Sequence, residues 1–176
     1  MKTNVFLIGL MSLFAFQLNA QDIVMTQVNN SKHAAERILN KLAKEEQVTT
    51  VRITKSILRM MPEFSAEANF DGIKIGALAS KLDLLEVYTT EKPELMKFMK
   101  DAQAEFMKNP GFEEIMRVKN ERSEAGFFVE RKSKNDEALK SFFMFVNNDG
   151  RSVIMCLQGN FTMEDIKGVV AAAAAN

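Results

Sequence analysis

Two apolar runs near the end of the chain constrain the fold most: "FFMFV" at 142–146 and "VIMCL" at 153–157, separated by "NNDGRS". A strand that is apolar on both faces has to be buried on both faces. The Asp-Gly pair suits a tight hairpin turn. We therefore predict strands at 138–147 and 151–159, paired in the middle of a sheet that helices cover.

The remaining strands are predicted from β-branched or alternating segments bounded by turn residues. These segments are 48–54, 84–90, 112–119 and 125–132. The last four strands of the chain follow one another through short polar turns, which indicates a C-terminal meander. A segment of helical character separates the first two strands, so these two are open to parallel pairing. The fold class is α+β, a single domain with a mostly antiparallel sheet of about six strands.

The helices are predicted from apolar residues at helical spacing and from capping and breaking residues. They are expected at about 31–46, at 55–61 before Pro62, at 73–82, from Pro93 to the Asn-Pro-Gly sequence at 109–111, and from about Met163 onward. The stretch "PEFSAEANFDG" at 62–72 is expected to be irregular. Because loops often carry function, its Phe64 and Phe70 are a possible interaction loop.

The N-terminus has the three parts of a secretory signal peptide: Lys2, an apolar stretch of 12 residues (5–16), and Leu-Asn-Ala before Gln21. The stretch is too short for a membrane-spanning helix, which needs about 20 residues. We predict a signal peptide at 1–20, a leader at 21–30 and one domain at 31–176, with no stable membrane span after cleavage. No Cys lies near the cleavage point, so the protein is expected in the periplasm or outside the cell, and not as a lipoprotein.

Composition narrows the classes of function. Apolar residues make up 47% and charged residues 26% of the chain, which is typical of a globular domain. Lys+Arg and Asp+Glu balance at 23 each, so no global field favours nucleic acid. No sequence motif calls for a cofactor. Cys156 is the only cysteine, so no internal disulfide can form.

The stretch "LQGNFTMEDI" at 157–166 resembles a phosphate-binding turn, but its residues predict a joint between a strand and a helix. With Thr162 at the N-cap, Asp165 completes a short capping box, and Phe161 and Ile166 form a hydrophobic staple. Acidic residues at this helix N-terminus would repel a phosphate. Gly159 and Asn160 are expected to supply the unusual backbone angles of a turn.

Several of these segments resemble a known family. They are "VTTVRITKSILRMMP", "LDLLEVYTT", "FEEIMRVKN" and "FFMFVNNDGRSVIMCLQGNFTMEDI". The chain resembles the bacterial exported family known as domain of unknown function 4252, over about residues 30–170. The resemblance implies a small exported α+β domain of the cell envelope. It implies no catalytic residue, cofactor or substrate.

No motif for catalysis or metal binding stands out. His33 is the only histidine, and Cys156 is expected to be buried and inert in a central strand. Adjacent acids such as Glu113 and Glu114 point to opposite faces of a strand and cannot form a carboxylate dyad. The leading hypothesis is a non-catalytic interaction module of the envelope with an unknown protein partner. Two alternatives stay open: a hydrolase whose acids converge only in the fold, and a carrier of a small apolar ligand.

Overall fold

The computed structural model describes residues 34–60, 69–70, 73–74, 76–133 and 137–174. The strands are β1 (Thr49–Thr54), β2 (Asn69–Phe70), β3 (Ile73–Lys74), β4 (Leu82–Thr90), β5 (Glu113–Lys119), β6 (Ser123–Arg131), β7 (Ala138–Asn148) and β8 (Ser152–Thr162). The helices are α1 (described at 34–42), α2 (Lys55–Met60), α3 (Pro93–Lys108) and α4 (Met163–Ala174), with a 3-10 helix at Gly76–Lys81.

Six strands form one sheet in the order β1-β4-β8-β7-β6-β5, and β2 pairs with β3 in a separate two-stranded sheet. All the pairs are antiparallel. The predicted α+β class, the C-terminal meander and the central position of the two apolar strands, β7 and β8, are confirmed. β1 and β5 form the two edges of the sheet.

The parallel pairing that the sequence left open for the first two strands is wrong. β1 and β4 are antiparallel, with Thr54 opposite Leu84 and Thr49 opposite Thr89. The last residue of β1 and the first residues of β4 therefore lie at the same end of the sheet. A long segment that contains helix is compatible with either arrangement, so its composition does not decide the direction.

The sheet separates two apolar cores, which explains why β7 and β8 are apolar on both faces. On one face, α2, the 3-10 helix and α4 contribute Leu58, Leu78 and Ile166 to a cluster with strand residues such as Phe142 and Met155. We call this the α2/α4 face.

On the opposite face, called the α1/α3 face, α1 and α3 pack over a second cluster. Phe106 of α3 is at its centre, with its ring centroid 4.2 Å from that of Phe112 and 4.8 Å from that of Phe143. The apolar stripes predicted for these two helices are the surfaces that they bury here.

The helix predictions at 55–61, from Pro93 and from Met163 are confirmed, and Pro93 occupies the first turn of α3. Two others need correction. The helix predicted to reach residue 46 ends at 42, where turns begin, and its predicted start lies outside the described residues. Within 73–82 the structure has β3 and then a 3-10 helix, because Gly76 weakens an α-helix there.

The segment 157–162 continues as strand to Thr162, so the turn predicted at Gly159 and Asn160 is absent from this described segment. Glycine is needed for a different reason. A Cβ at position 159 would lie 2.2 Å from the carbonyl oxygen of Lys81 and 3.0 Å from Cα of Leu82. Gly159 therefore permits close contact between β8 and the start of β4.

Helix α4 begins directly after this strand with a reciprocal pair of hydrogen bonds. The Thr162 backbone N–H donates to Oδ2 of Asp165 at 2.8 Å, and the Asp165 N–H lies 3.4 Å from the Thr162 hydroxyl. Phe161 and Ile166 are both buried in the core of the α2/α4 face. The Lys81 ammonium also binds Asp165, at 2.6 Å, so Lys81 contacts the joint through both its backbone and its side chain.

Candidate interaction surface

The candidate functional surface is the free edge of β1, which we call the β1 edge. Among the strands that the structure describes, β1 pairs only with β4, through six consecutive residue pairs without a bulge. Five of its six residues, in the sequence TTVRIT, are β-branched, and all except Ile53 are exposed. A regular edge strand with unpaired backbone groups is a template for another strand.

The opposite edge, β5, has the features that protect an edge from such pairing. Its pairing with β6 is interrupted by an irregularity between Glu114 and Met116. Its charged residues form ion pairs with their neighbours: Arg117 binds Glu114 at 2.6 Å, and Arg131 of β6 binds Glu113 at 2.9 Å. The two edges of one sheet therefore differ in their capacity to accept a strand.

Exposed apolar side chains accompany the β1 edge. Val51 on β1 is 38% exposed, and Ile57 and Met60 on the following helix are 43% and 76% exposed. Their exposure contrasts with Leu58, which is buried in the core from the same helix. The segment 51–60 thus presents apolar surface of the kind that marks interaction sites.

One charged residue lies within β1, and it has a structural partner. The Arg52 side chain is 64% exposed and lies 3.4 Å from the Glu86 carboxylate, which is only 8% exposed. Arg52 thereby partly neutralises a carboxylate that is otherwise nearly buried. It therefore has a role within the sheet and is not simply an edge-protecting charge.

Burial explains the two strongest pKa shifts on the α1/α3 face. Desolvation raises the pKa of the Tyr88 hydroxyl well above its usual range, and the nearby Glu86 carboxylate raises it further. Desolvation also raises the pKa of the Cys156 thiol to about 12. Both groups are held in the neutral form, so the cysteine is not an activated nucleophile.

The acids singled out in the sequence do not form a catalytic pair. Glu113 and Glu114 bind different arginines, as described above. Within the described part of the chain, no group of three or more His, Cys, Asp or Glu residues has the arrangement needed to hold a metal ion. Two nearly buried acids, Glu86 and Glu130, instead bind cations of adjacent strands, Arg52 and Lys140.

Two of the cavities on the described surface illustrate its polar and charged character. One, of about 330 Å³, lies between α3 and the β5–β6 and β7–β8 turns, with Lys100, Arg122, Asp149 and Ser152 among its lining residues. The other, of about 470 Å³, surrounds the joint between β8 and α4. Neither is the Met- and Phe-lined pocket expected for a carrier of an apolar ligand.

Several residues named from the sequence cannot be placed. His33 and Phe64 lie outside the described residues. The backbone of Phe70 belongs to β2, so the irregular segment predicted at 62–72 is wrong at its end, where Asn69–Phe70 pairs with β3. The possible interaction loop at Phe64 and Phe70 stays a prediction.

The sequence missed the β1 edge as a surface. The β-branched run predicted a strand correctly, but the position of a strand within the sheet depends on pairings with distant segments. No local signal was available, because TTVRIT lacks the several charges or the bulge that usually mark an edge strand.

The fold is thus an α+β domain, an antiparallel sheet between helices on both faces. The chain belongs to the family described as "Domain of unknown function (DUF4252)", whose model matches residues 40–169. No curated protein and no solved structure matches the chain. In the described ranges, no helix is long and apolar enough to cross a membrane.

Proposed function

We propose that this protein is an exported, non-catalytic interaction module of the cell envelope that binds a protein partner along the β1 edge. The observation that carries the proposal is the contrast between the two edges of the sheet. β5 has an irregularity and paired charges, whereas β1 is regular, exposed and mostly β-branched. An extended segment of a partner can add to such an edge through main-chain hydrogen bonds.

Export is supported by the sequence of residues 1–20, which has the cationic, apolar and small-residue parts of a secretory signal peptide. The intact mass of the protein from its native host tests this part of the proposal. We expect a mature chain that begins at Gln21. A mature pool that still begins at Met1 would contradict export.

The exposed apolar residues beside the edge support a protein as the partner. Main-chain pairing supplies affinity without sequence selectivity, and side chains next to the strand supply selectivity. Val51, Ile57 and Met60 are available for that role because each is more than one-third exposed. The partner chemistry that fits is an extended segment with apolar side chains.

A charge placed on the edge tests the proposal. Val51→Lys should abolish capture of the envelope partner while leaving the unfolding midpoint nearly unchanged, since the residue is exposed and a lysine protects an edge. Val118→Lys is the matched control, because Val118 is an exposed valine on the opposite edge strand, 41% exposed against 38% for Val51.

The two variants should be compared by affinity capture from envelope extract, with mass spectrometry of the bound proteins. Proteins lost with Val51→Lys and retained with Val118→Lys are partners of the β1 edge. If both variants capture the same proteins as the unmodified chain, the β1 edge is not the interaction surface.

A further inference from the structure

The charges at the two ends of β1 have opposite sign. Within five residues of the strand, Lys44, Glu45 and Glu46 precede it, one cation against two anions, and Lys55 and Arg59 follow it. Glu46, Lys55 and Arg59 are exposed. Lys55 also forms an ion pair with Asp83 within its own chain. The β1 edge therefore has a negative end and a positive end.

Two copies of such a strand are complementary only when they run in opposite directions. Antiparallel pairing places the acidic end of each copy beside the basic end of the other. Because the dimer has two-fold symmetry, this contact between opposite charges occurs twice. Parallel pairing of two copies would instead bring the like-charged ends together. We propose that the partner at the β1 edge is a second copy of this chain, bound antiparallel through β1. This inference rests on the proposed function of the β1 edge.

The faces of the sheet restrict the register. A two-fold axis perpendicular to the sheet keeps each face continuous across the dimer, and directly opposite residues of an antiparallel pair lie on one face. Ile53 belongs to the core of the α2/α4 face, and Val51 shares that face by alternation. Arg52 and Thr50 point to the other face. A β1 residue of one copy and the β1 residue directly opposite it in the other copy must therefore both be odd-numbered or both be even-numbered.

Two such registers pair five of the six residues of β1, one centred on Val51 and one on Arg52. Centring on Arg52 places two guanidinium groups directly opposite each other, which is unfavourable. Centring on Val51 places the exposed valines against each other and Arg52 opposite Thr50 of the second copy. The geometry therefore selects the register centred on Val51, which joins two six-stranded sheets into one continuous sheet.

In this register, the segment after β1 in one copy lies alongside the segment before β1 in the other. Arg59 of one copy then comes to the same end of the paired strands as Glu46 of the other copy. Neither residue has an ion-pair partner among the described residues. These two charges approach each other around the end of the paired strands, because α2 packs on the α2/α4 face and Val48, just before β1, packs on the α1/α3 face.

Charge reversal at these residues tests the arrangement by sedimentation velocity of the full chain as its host processes it. The unmodified protein should sediment as a dimer. Arg59→Glu and Glu46→Arg should each weaken the dimer, because each creates a like-charged pair twice. A loss of about fivefold for each pair becomes about 25-fold in the dissociation constant.

Mixing the two single variants gives the decisive measurement. In the mixed dimer, the glutamate introduced at position 59 of one chain faces the arginine introduced at position 46 of the other. The unchanged Glu46 of the first chain faces the unchanged Arg59 of the second, so both pairs are again attractive. The mixture should therefore recover the dimer that each variant alone has lost. Circular dichroism and unfolding midpoints of both variants should match those of the unmodified chain, since both positions are exposed.

Each contrary outcome identifies what has failed. A monomer at high micromolar concentration overturns the inference, as does a dimer that is indifferent to Val51→Lys and to the charge reversals. If the chain is monomeric but Val51→Lys, unlike Val118→Lys, loses an envelope partner, the proposed function stands and the second copy is the wrong partner. If neither association nor capture depends on Val51, both proposals fail.

Discussion

Gly159 of β8 lies against the backbone of Lys81, and a Cβ at position 159 would be 2.2 Å from the Lys81 carbonyl oxygen. The ammonium group of the same lysine binds Asp165 in the first turn of α4. Lys81, the last residue of the 3-10 helix before β4, therefore contacts both the last strand and the last helix. The strand-to-helix joint is held by tertiary contacts as well as by its own caps.

Gly159→Ala should destabilise the protein by about 2 kcal/mol or more, since backbone atoms cannot move aside as a flexible side chain can. Chemical denaturation measures this loss. Gly168→Ala in α4 is the control, because its added Cβ would meet nothing within 4 Å beyond the backbone of its own helix. It should stabilise the protein by up to about 1 kcal/mol through helix propensity. Equal effects at the two positions would refute the close approach of β8 and β4.

Thr162→Ala should destabilise the protein by about 1 kcal/mol, the usual loss for an N-cap side chain. The hydroxyl lies 3.0 Å from Oδ2 of Asp165 and accepts the helix N–H at 3.4 Å. Phe161→Ala should cost more, roughly 3–5 kcal/mol, because that ring is 1% exposed. Denaturation curves for the two variants check this order. A smaller loss for Phe161 than for Thr162 would contradict it.

Stability should fall in acid partly through Asp165. Hydrogen bonds from the Lys81 ammonium and the Thr162 backbone N–H lower the pKa of this carboxyl below its ordinary value of 3.8. The carboxylate therefore stabilises the fold above pH 3.8, and this contribution is lost as pH falls through the folded-state pKa. Asp165→Asn should be less stable at neutral pH and should show a weaker dependence on acid pH.

Lys81→Met provides an independent check on the same contribution, because it removes the largest cause of the shift while leaving the carboxyl in place. Its unfolding free energy should also depend less on pH between neutral and acid conditions. If the unfolding free energies of the variants change with pH as much as that of the unmodified protein, Asp165 does not make the described contribution.

The sheet was predictable because its central strands are apolar on both faces. No amphipathic helix or half-exposed strand has the composition of 142–146 or 153–157, so the central position follows from the residues themselves. The turn after β7 was equally predictable: Asn148 accepts hydrogen bonds from the backbone N–H groups of Gly150 and Arg151, at 3.1 and 2.7 Å. Local chemistry is sufficient for such features.

Features that depend on distant contacts were predicted wrongly or not at all. The sequence predicts a turn at Gly159 because the approach of Lys81, far away in sequence, leaves no local signal. The antiparallel direction of β1 relative to β4 could not be predicted for the same reason, because it depends on pairing between segments that are distant in sequence. The candidate interaction surface was missed for this reason too, since an edge strand and an internal strand can share the sequence TTVRIT.

Cys156 should be inert in the native protein and reactive after unfolding. Its side chain is 0% exposed within β8, and desolvation raises its pKa to about 12 from an ordinary 9.0. A thiol reagent attacks the thiolate, so the native protein should label only as fast as it unfolds. In denaturant the same thiol should react rapidly at mildly alkaline pH.

The same shift has a consequence for stability in alkali. The folded state holds the neutral thiol, so unfolding becomes coupled to thiol ionisation once pH exceeds 9.0, the ordinary value. The contribution of this thiol is fully present below that pH and falls as pH rises towards 12. Cys156→Ala should weaken that alkaline loss, although it destabilises the protein at neutral pH by emptying a buried position. Rapid labelling of the folded protein at neutral pH would contradict the buried, neutral thiol and would reopen nucleophilic or redox chemistry at this residue.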